Sequence, residues 1–136
     1  MPQLKMHALV DGEIHGKSFC LQAPLSLWDG IDSQTGTIIQ VGHPDRGKSI
    51  SGKILIFSNG MSGATAGAAL TETVRTGSSP LAMILPEPDA IVVTASVTAG
   101  LLYDKNIPVF DVNADLIKKI PSQTECQIKS QTISWQ

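Results

Sequence analysis

Lys53-Ile54-Leu55-Ile56-Phe57-Ser58-Asn59-Gly60-Met61-Ser62-Gly63-Ala64-Thr65-Ala66-Gly67-Ala68-Ala69-Leu70 marks a sharp change in the character of the chain. Its first five residues form a short apolar run, which suits a strand buried on both faces. From Ser62 to Thr76 the positions Ala66, Ala69/Leu70 and Thr73/Val74 recur at helical spacing, and Gly77 stands as a C-terminal stop. The stretch therefore predicts a strand, a tight small-residue turn and a helix.

Downstream, Leu81–Leu85 is a second apolar run, closed by Pro86-Glu87-Pro88. Ala90–Val93 is a third, leading into a helical segment, Thr94–Asp104, in which Val97 and Leu101 share a face. Pro108–Asp111 reads as a strand, and Asn113 can cap a helix running through Ile120 until Pro121 stops it. Thr124–Trp135 alternates imperfectly and reads as one terminal strand. Upstream, Lys5–Val10 and Glu13–Leu21 flank Asp11-Gly12 and read as a hairpin. Pro24–Ile39 is an ordered loop ending in a short strand, and Gly42–Gly47 is a turn cluster. The predicted architecture is α/β, with a β-rich amino-terminal part closing on a β-α-β-α unit.

With 136 residues, 42% of them hydrophobic and 16% charged, the chain suits a single domain over residues 1–136 that builds a core without disulfide or metal staples. Ten basic and twelve acidic residues leave a net charge of -2, which offers no broad basic footprint for nucleic acid or an anionic membrane. No apolar run approaches the length of a membrane span, and none follows Met1-Pro2-Gln3-Leu4-Lys5 as a signal peptide requires. The expected location is cytoplasmic, with reduced thiols. Charge falls below the roughly 25% of an average soluble domain, which suggests that a partner covers part of the surface.

The turn Ser58–Gly67 is the leading candidate site. Glycines and hydroxyl residues between a buried strand and a helix aim backbone N–H groups at an anion above the helix start. It lacks the Gly-Lys-Ser/Thr of a phosphate-binding loop and the Gly-x-Gly-x-x-Gly dinucleotide spacing. The same composition also suits a capped helix packed closely on a sheet. His7, His15 and His43 stand at no metal-binding spacing, so this chain is expected to hold no metal, and Cys20 and Cys126 read as buried small apolar residues. Asp29, Asp32, Asp45 and Arg46 fall in turn clusters, and Glu87 and Asp89 read as a solvated pair.

Several ordered motifs carry a resemblance. Pro24-Leu25-Ser26-Leu27-Trp28-Asp29-Gly30-Ile31-Asp32, Thr35-Gly36-Thr37-Ile38-Ile39, Gly42-His43-Pro44-Asp45-Arg46-Gly47-Lys48-Ser49, the Ser58–Gly67 turn, Ala82–Ile91, Tyr103 and Ile107–Phe110 together resemble the small, swivel-domain subunit of the aconitase X family. The resemblance implies a mobile swivelling β/β/α domain that closes over a cleft in a separate large subunit, making a heterodimer. It implies an iron or iron–sulfur centre held by that large subunit, with none bound by this chain alone. The implied activity is a hydro-lyase, active only with its large subunit. It would dehydrate a small anionic hydroxy acid such as cis-3-hydroxy-L-proline or mevalonate 5-phosphate.

In that family the turn reads Pro-Ser-Gly-Arg-Gly followed by serines, the first of which looks like the acid/base group. Aligned without gaps, Met61 stands at the arginine, Ser62 at the second glycine and Gly63 at the expected serine. Three readings follow: Ser62 supplies the hydroxyl, Thr65 supplies it, or the chain keeps the fold as a non-catalytic binding or regulatory module. The candidate catalytic residues are thus Ser62 and Thr65. The candidate substrate-binding set is Asn59, Gly60, Met61, Ser62 and Gly63, with Arg46, Lys48 and Lys53 as basic neighbours that partly replace the missing arginine.

Overall fold

The computed structural model describes residues 2–27, 29–60 and 67–136. Its strands are β1 (Gln3–Lys5), β2 (His7–Val10), β3 (Ile14–Cys20), β4 (Ile31–Asp32), β5 (Thr37–Ile38), β6 (Ile54–Ile56), β7 (Ala82–Leu85), β8 (Val109–Asp111), β9 (Glu125–Lys129) and β10 (Thr132–Trp135). The helices are α1 (Gly67–Thr76), α2 (Ala90–Tyr103) and α3 (Ala114–Ile117). Among the described residues no helix is long and apolar enough to cross a membrane.

Eight strands form one sheet in the order β1-β10-β9-β3-β6-β7-β8-β2. The four central strands, β3, β6, β7 and β8, run parallel, and the flanking ones are antiparallel. The two outermost strands are consecutive in the chain, with only Met6 between them, so the sheet curls until it is nearly closed. The Met6 N–H donates to Gln131 O at 2.8 Å, and the Met6 side chain is buried.

Strand alternation divides the core in two. One face of the parallel strands presents Phe19, Leu55, Phe57, Met83 and Leu85 to Leu70 and Val74 of α1 and to Val92, Ala95 and Ala99 of α2. The other presents Ile54, Ile56, Ile84 and Phe110 inward to Cys126, Ile128 and Ile133, with Ile117 and Ile120 packed against them. These buried apolar faces explain why Ile54–Ile56 reads as a continuous apolar run instead of an alternating one. The expected β-rich part closing on a β-α unit is the architecture observed.

Four local expectations need correction. β2 and β3 flank Asp11-Gly12 but do not pair: β2 joins β8, while β3 joins β9 and β6. Parallel pairing with β6 makes β3 a central strand with Ser18 and Phe19 fully covered, burial that a free hairpin would not provide. The Asp11-Gly12 segment instead packs on Pro108, whose Cγ would lie 2.6 Å from a Cβ added at Gly12. Ala90–Val93 is the first turn of α2, because Asp89 caps it: Oδ1 accepts from the N–H groups of Ile91 at 2.9 Å and Val92 at 3.1 Å. The helix after Asn113 has the predicted cap but ends at Ile117. The carboxyl-terminal strand is a hairpin, β9 and β10, turned by Ser130 and Gln131, both in the left-handed region at φ 52° and 59°.

Candidate functional site

The candidate turn leaves the carboxyl end of β6, where open parallel sheets form their ligand crevices. Phe57 is fully buried, and the Gly60 N–H donates to Phe57 O at 3.1 Å, closing a tight turn. Gly60 adopts φ 88°, a conformation that a side chain would strain, with open space where a Cβ would stand. Asn59 Nδ2 donates to Leu21 O at 2.9 Å, tying the turn to the chain leaving β3. Met61, Ser62, Gly63 and Thr65 lie outside the described residues, as does Trp28.

The neighbouring strand β7 ends in Pro86-Glu87-Pro88-Asp89, and these four residues with Gly60 line a cleft of about 200 Å3. Pairing β6 with β7 in parallel brings the two strand ends together. Asp89 is committed to the N-terminus of α2, where its charge complements the helix dipole, so it is not one of a solvated pair. Glu87 is exposed. The described wall of the cleft therefore carries carboxylates and no cation.

The basic neighbours are dispersed. Lys48 Nζ stands 3.2 Å from Asp45 Oδ1 and is engaged there. Lys53 precedes β6 and so stands at the far end of that strand from Gly60, where it cannot replace an arginine in the turn. Arg46 is exposed on the Gly42–Gly47 loop.

That loop contains a polar cluster whose burial sequence reading missed. Asp45 is fully buried and accepts from the Gln22 N–H at 2.8 Å, from Gln22 Nε2 at 2.7 Å and from Lys48 Nζ. Burial pushes its carboxyl up, but the Gln22 and Lys48 contacts together outweigh this and hold it below the usual carboxylate value. His43 is buried beside it: Nδ1 accepts from the Asp45 N–H at 3.0 Å, which leaves Nε2 to donate to Ala23 O at 3.0 Å. Because Gln22 follows β3 directly, the cluster pins the loop to the same end of the sheet as the cleft. The turn-forming Asp at position 45 was legible; its complete burial was not.

No three His, Cys, Asp or Glu side chains converge among the described residues. Cys20 and Cys126 both have their thiols pushed up by burial, partly opposed at Cys20 by the Ser58 and Ser122 hydroxyls and at Cys126 by Ser18. Each thiol donates to a carbonyl, Cys20 to Ile120 O and Cys126 to Thr124 O, both at 3.3 Å. Protonated thiols turned onto backbone carbonyls do not fit an iron or iron–sulfur ligand set.

Three comparisons bear on this geometry. Residues 3–135 match the family model described as the aconitase X swivel domain. The chain is 33% identical over 105 residues to the phosphomevalonate dehydratase small subunit of Thermococcus sibiricus, covering 76% of this chain and 80% of that one. It is 30% identical over 101 residues to the cis-3-hydroxy-L-proline dehydratase of Pseudomonas aeruginosa, covering 74% of this chain but only 17% of that much longer one. The crystal structure of Thermococcus kodakaraensis aconitase X in its holo-form superposes with a TM-score of 0.85 at 26% identity, covering 100% of this chain and 99% of the matched one.

Proposed function

The chain belongs to the aconitase X swivel-domain family, and from that premise we propose that it is the small subunit of a two-chain hydro-lyase. Its substrate is a small hydroxy acid bearing an anionic group, of the kind named for its relatives: mevalonate 5-phosphate or cis-3-hydroxy-L-proline. The observation that carries the proposal is the cleft at the carboxyl ends of β6 and β7. There Gly60, at the positive-φ end of a tight turn, lines one cleft with Pro86–Asp89, and the sequence that follows Gly60 is rich in hydroxyl and small residues. The small-subunit names of its relatives support a second chain that completes the site.

Dehydration breaks a C–H bond beside the acid group and a C–O bond on the neighbouring carbon, forms C=C, and releases the proton and hydroxide as water. The role assigned to this chain is to carry the proton on the hydroxyl of Ser62, or alternatively Thr65. Asn59, Gly60, Met61, Ser62 and Gly63 are assigned to receiving the anionic group; because the Gly60 N–H is engaged by Phe57 O, the backbone donors are assigned to the residues that follow it. The iron or iron–sulfur centre that the resemblance implies is assigned to the larger chain, an assignment supported by thiols here that turn onto backbone carbonyls.

A second reading is favoured by one sequence fact. Met61 and Gly63 stand where the family resemblance leads one to expect Arg and Ser, and a module without them would keep the fold and bind without turning over. Co-expression with the large dehydratase chain of the same genome, followed by anaerobic assay on both substrates, separates the readings. Turnover that falls about 100-fold or more in Ser62→Ala supports Ser62 as the proton carrier. Unchanged turnover in that variant, with loss in Thr65→Ala, moves the role to Thr65. A stable complex inert to both substrates supports the binding module.

A further inference from the structure

Helix α2, Ala-Ile-Val-Val-Thr-Ala-Ser-Val-Thr-Ala-Gly-Leu-Leu-Tyr, contains no charged side chain over 14 residues. Val92, Ala95, Ser96 and Ala99 face the sheet and are buried. The exposed side chains are mostly apolar: Ile91 is 50% exposed, Val97 48%, Leu101 83% and Leu102 63%, and the hydroxyl of exposed Thr94 turns back onto Ala90 O. A helix lying on a free surface carries charge on its outer face, and one that is apolar all round is normally covered. Beside it, Ala68, Thr71 and Glu72 of α1 and Ile91, Thr94 and Thr98 of α2 line a groove of about 460 Å3.

We propose that the outer face of α2 and the α1/α2 groove form the docking surface for the large dehydratase chain. This rests on the small-subunit reading and specifies which surface serves it. Three observations select that occupant. The groove neighbours the cleft, since Ile91 of the groove lies only two residues beyond Asp89 of the cleft, so a body seated on one is close to the other. In the Pseudomonas aeruginosa relative the matching region is 17% of a single longer chain, so there the domain has a much larger body tethered to it. The sheet offers little for strand addition, because its outermost strands are only three and four residues long and run into one another through Met6. A second copy of this chain would cover the same stripe but would bring together two clefts whose described walls both carry carboxylates. A surface depleted of charge at its centre and running about 20 Å along one helix suits the core of a protein–protein interface.

The test is titration calorimetry of the chain with the co-expressed and separated large chain, for wild type, Val97→Glu, Leu101→Glu and Leu116→Glu. Leu116 is 38% exposed on α3, which packs with the other core cluster and serves as the control. A carboxylate buried without a partner at the interface weakens association by about 100-fold or more in Val97→Glu and Leu101→Glu. Leu116→Glu binds as wild type, and all three variants keep the wild-type melting profile, since each altered side chain is solvent-exposed in the isolated chain. Wild-type affinity in both α2 variants overturns the docking surface while leaving the small-subunit reading in place. Failure of the wild-type chains to associate overturns the small-subunit reading itself, and the docking surface with it. Loss of a homodimer in the α2 variants, with the complex of unlike chains intact, assigns the stripe to a second copy and overturns the proposal.

Discussion

Replacing Asp45 tests whether the buried carboxylate, and not the apolar residues around it, pins the long loop to the end of β3. Its three donors differ in what they lose. The Gln22 N–H is a part-buried backbone group bonded at 2.8 Å to an ionised acceptor, and losing such a bond costs about 1.5–3 kcal/mol. The Gln22 amide can turn to water, so its bond adds only about 1 kcal/mol or less. Lys48 is 54% exposed and resolvates, so its ion pair adds at most a few tenths of a kcal/mol. Asp45→Ala is therefore expected to lose about 3 kcal/mol, lowering Tm by roughly 10 °C in a domain of this size. Asp45→Asn keeps the volume but turns a donor toward one of the Gln22 groups, and should lose about 2 kcal/mol at neutral pH.

The pH dependence follows from the direction of the shift at Asp45. A carboxylate held below its unfolded value contributes stability that is complete above that unfolded value, near about pH 3.9, and is lost as pH falls through the folded value. The gap between wild type and Asp45→Asn should thus be constant from neutrality to about pH 5 and should narrow below about pH 4. Urea unfolding followed by far-ultraviolet circular dichroism at both pH values measures it. An Asp45→Ala loss under about 0.5 kcal/mol at pH 7, or an Asp45→Asn gap that does not change with pH, would refute the assignment.

Three further outcomes are expected. Phe110→Ala, which empties a fully buried ring position inside the curled sheet, should cost about 3–5 kcal/mol in urea unfolding. Ser130→Asn with Gln131→Gly, placing the residues that favour left-handed backbone in the β9–β10 turn, should raise stability by about 1 kcal/mol, read as an increase in Tm. Thiol labelling at pH 8 should be slow at Cys20 and should require unfolding at Cys126, because burial raises both thiols and Cys126 is only 1% exposed; fast labelling at Cys126 in native buffer would contradict this.

The strand-turn-helix at the centre of the fold was legible because Lys53–Phe57 lies between parallel neighbours, and a strand covered on both faces needs apolar side chains at every position. The partner of β3 was not legible. Asp11-Gly12 has hairpin chemistry, and nothing local reports that Val10 departs to one edge of the sheet while Ile14 enters its middle. Ala90–Val93 misled because β-branched residues opened a helix whose start is set by one side chain, Asp89. The terminal hairpin was hidden because Ser130 and Gln131 adopt positive φ without the usual Asn or Gly. Asn59 and Gly60 were legible as turn residues, and both hold the tight turn after β6. Pro86–Asp89 as the opposite wall was missed, since only the parallel pairing of β6 and β7 brings the two strand ends together.

Met6 makes the first and last strands of the sheet one continuous segment of chain. A sheet with open margins exposes rows of unpaired amides that can recruit another strand, and proteins normally guard such margins with charge, proline or a covering helix. Here the seam is guarded by chain continuity and by the bond from Met6 to Gln131. A domain built this way leaves only short margins, strands of three and four residues, on which a cross-β stack could start.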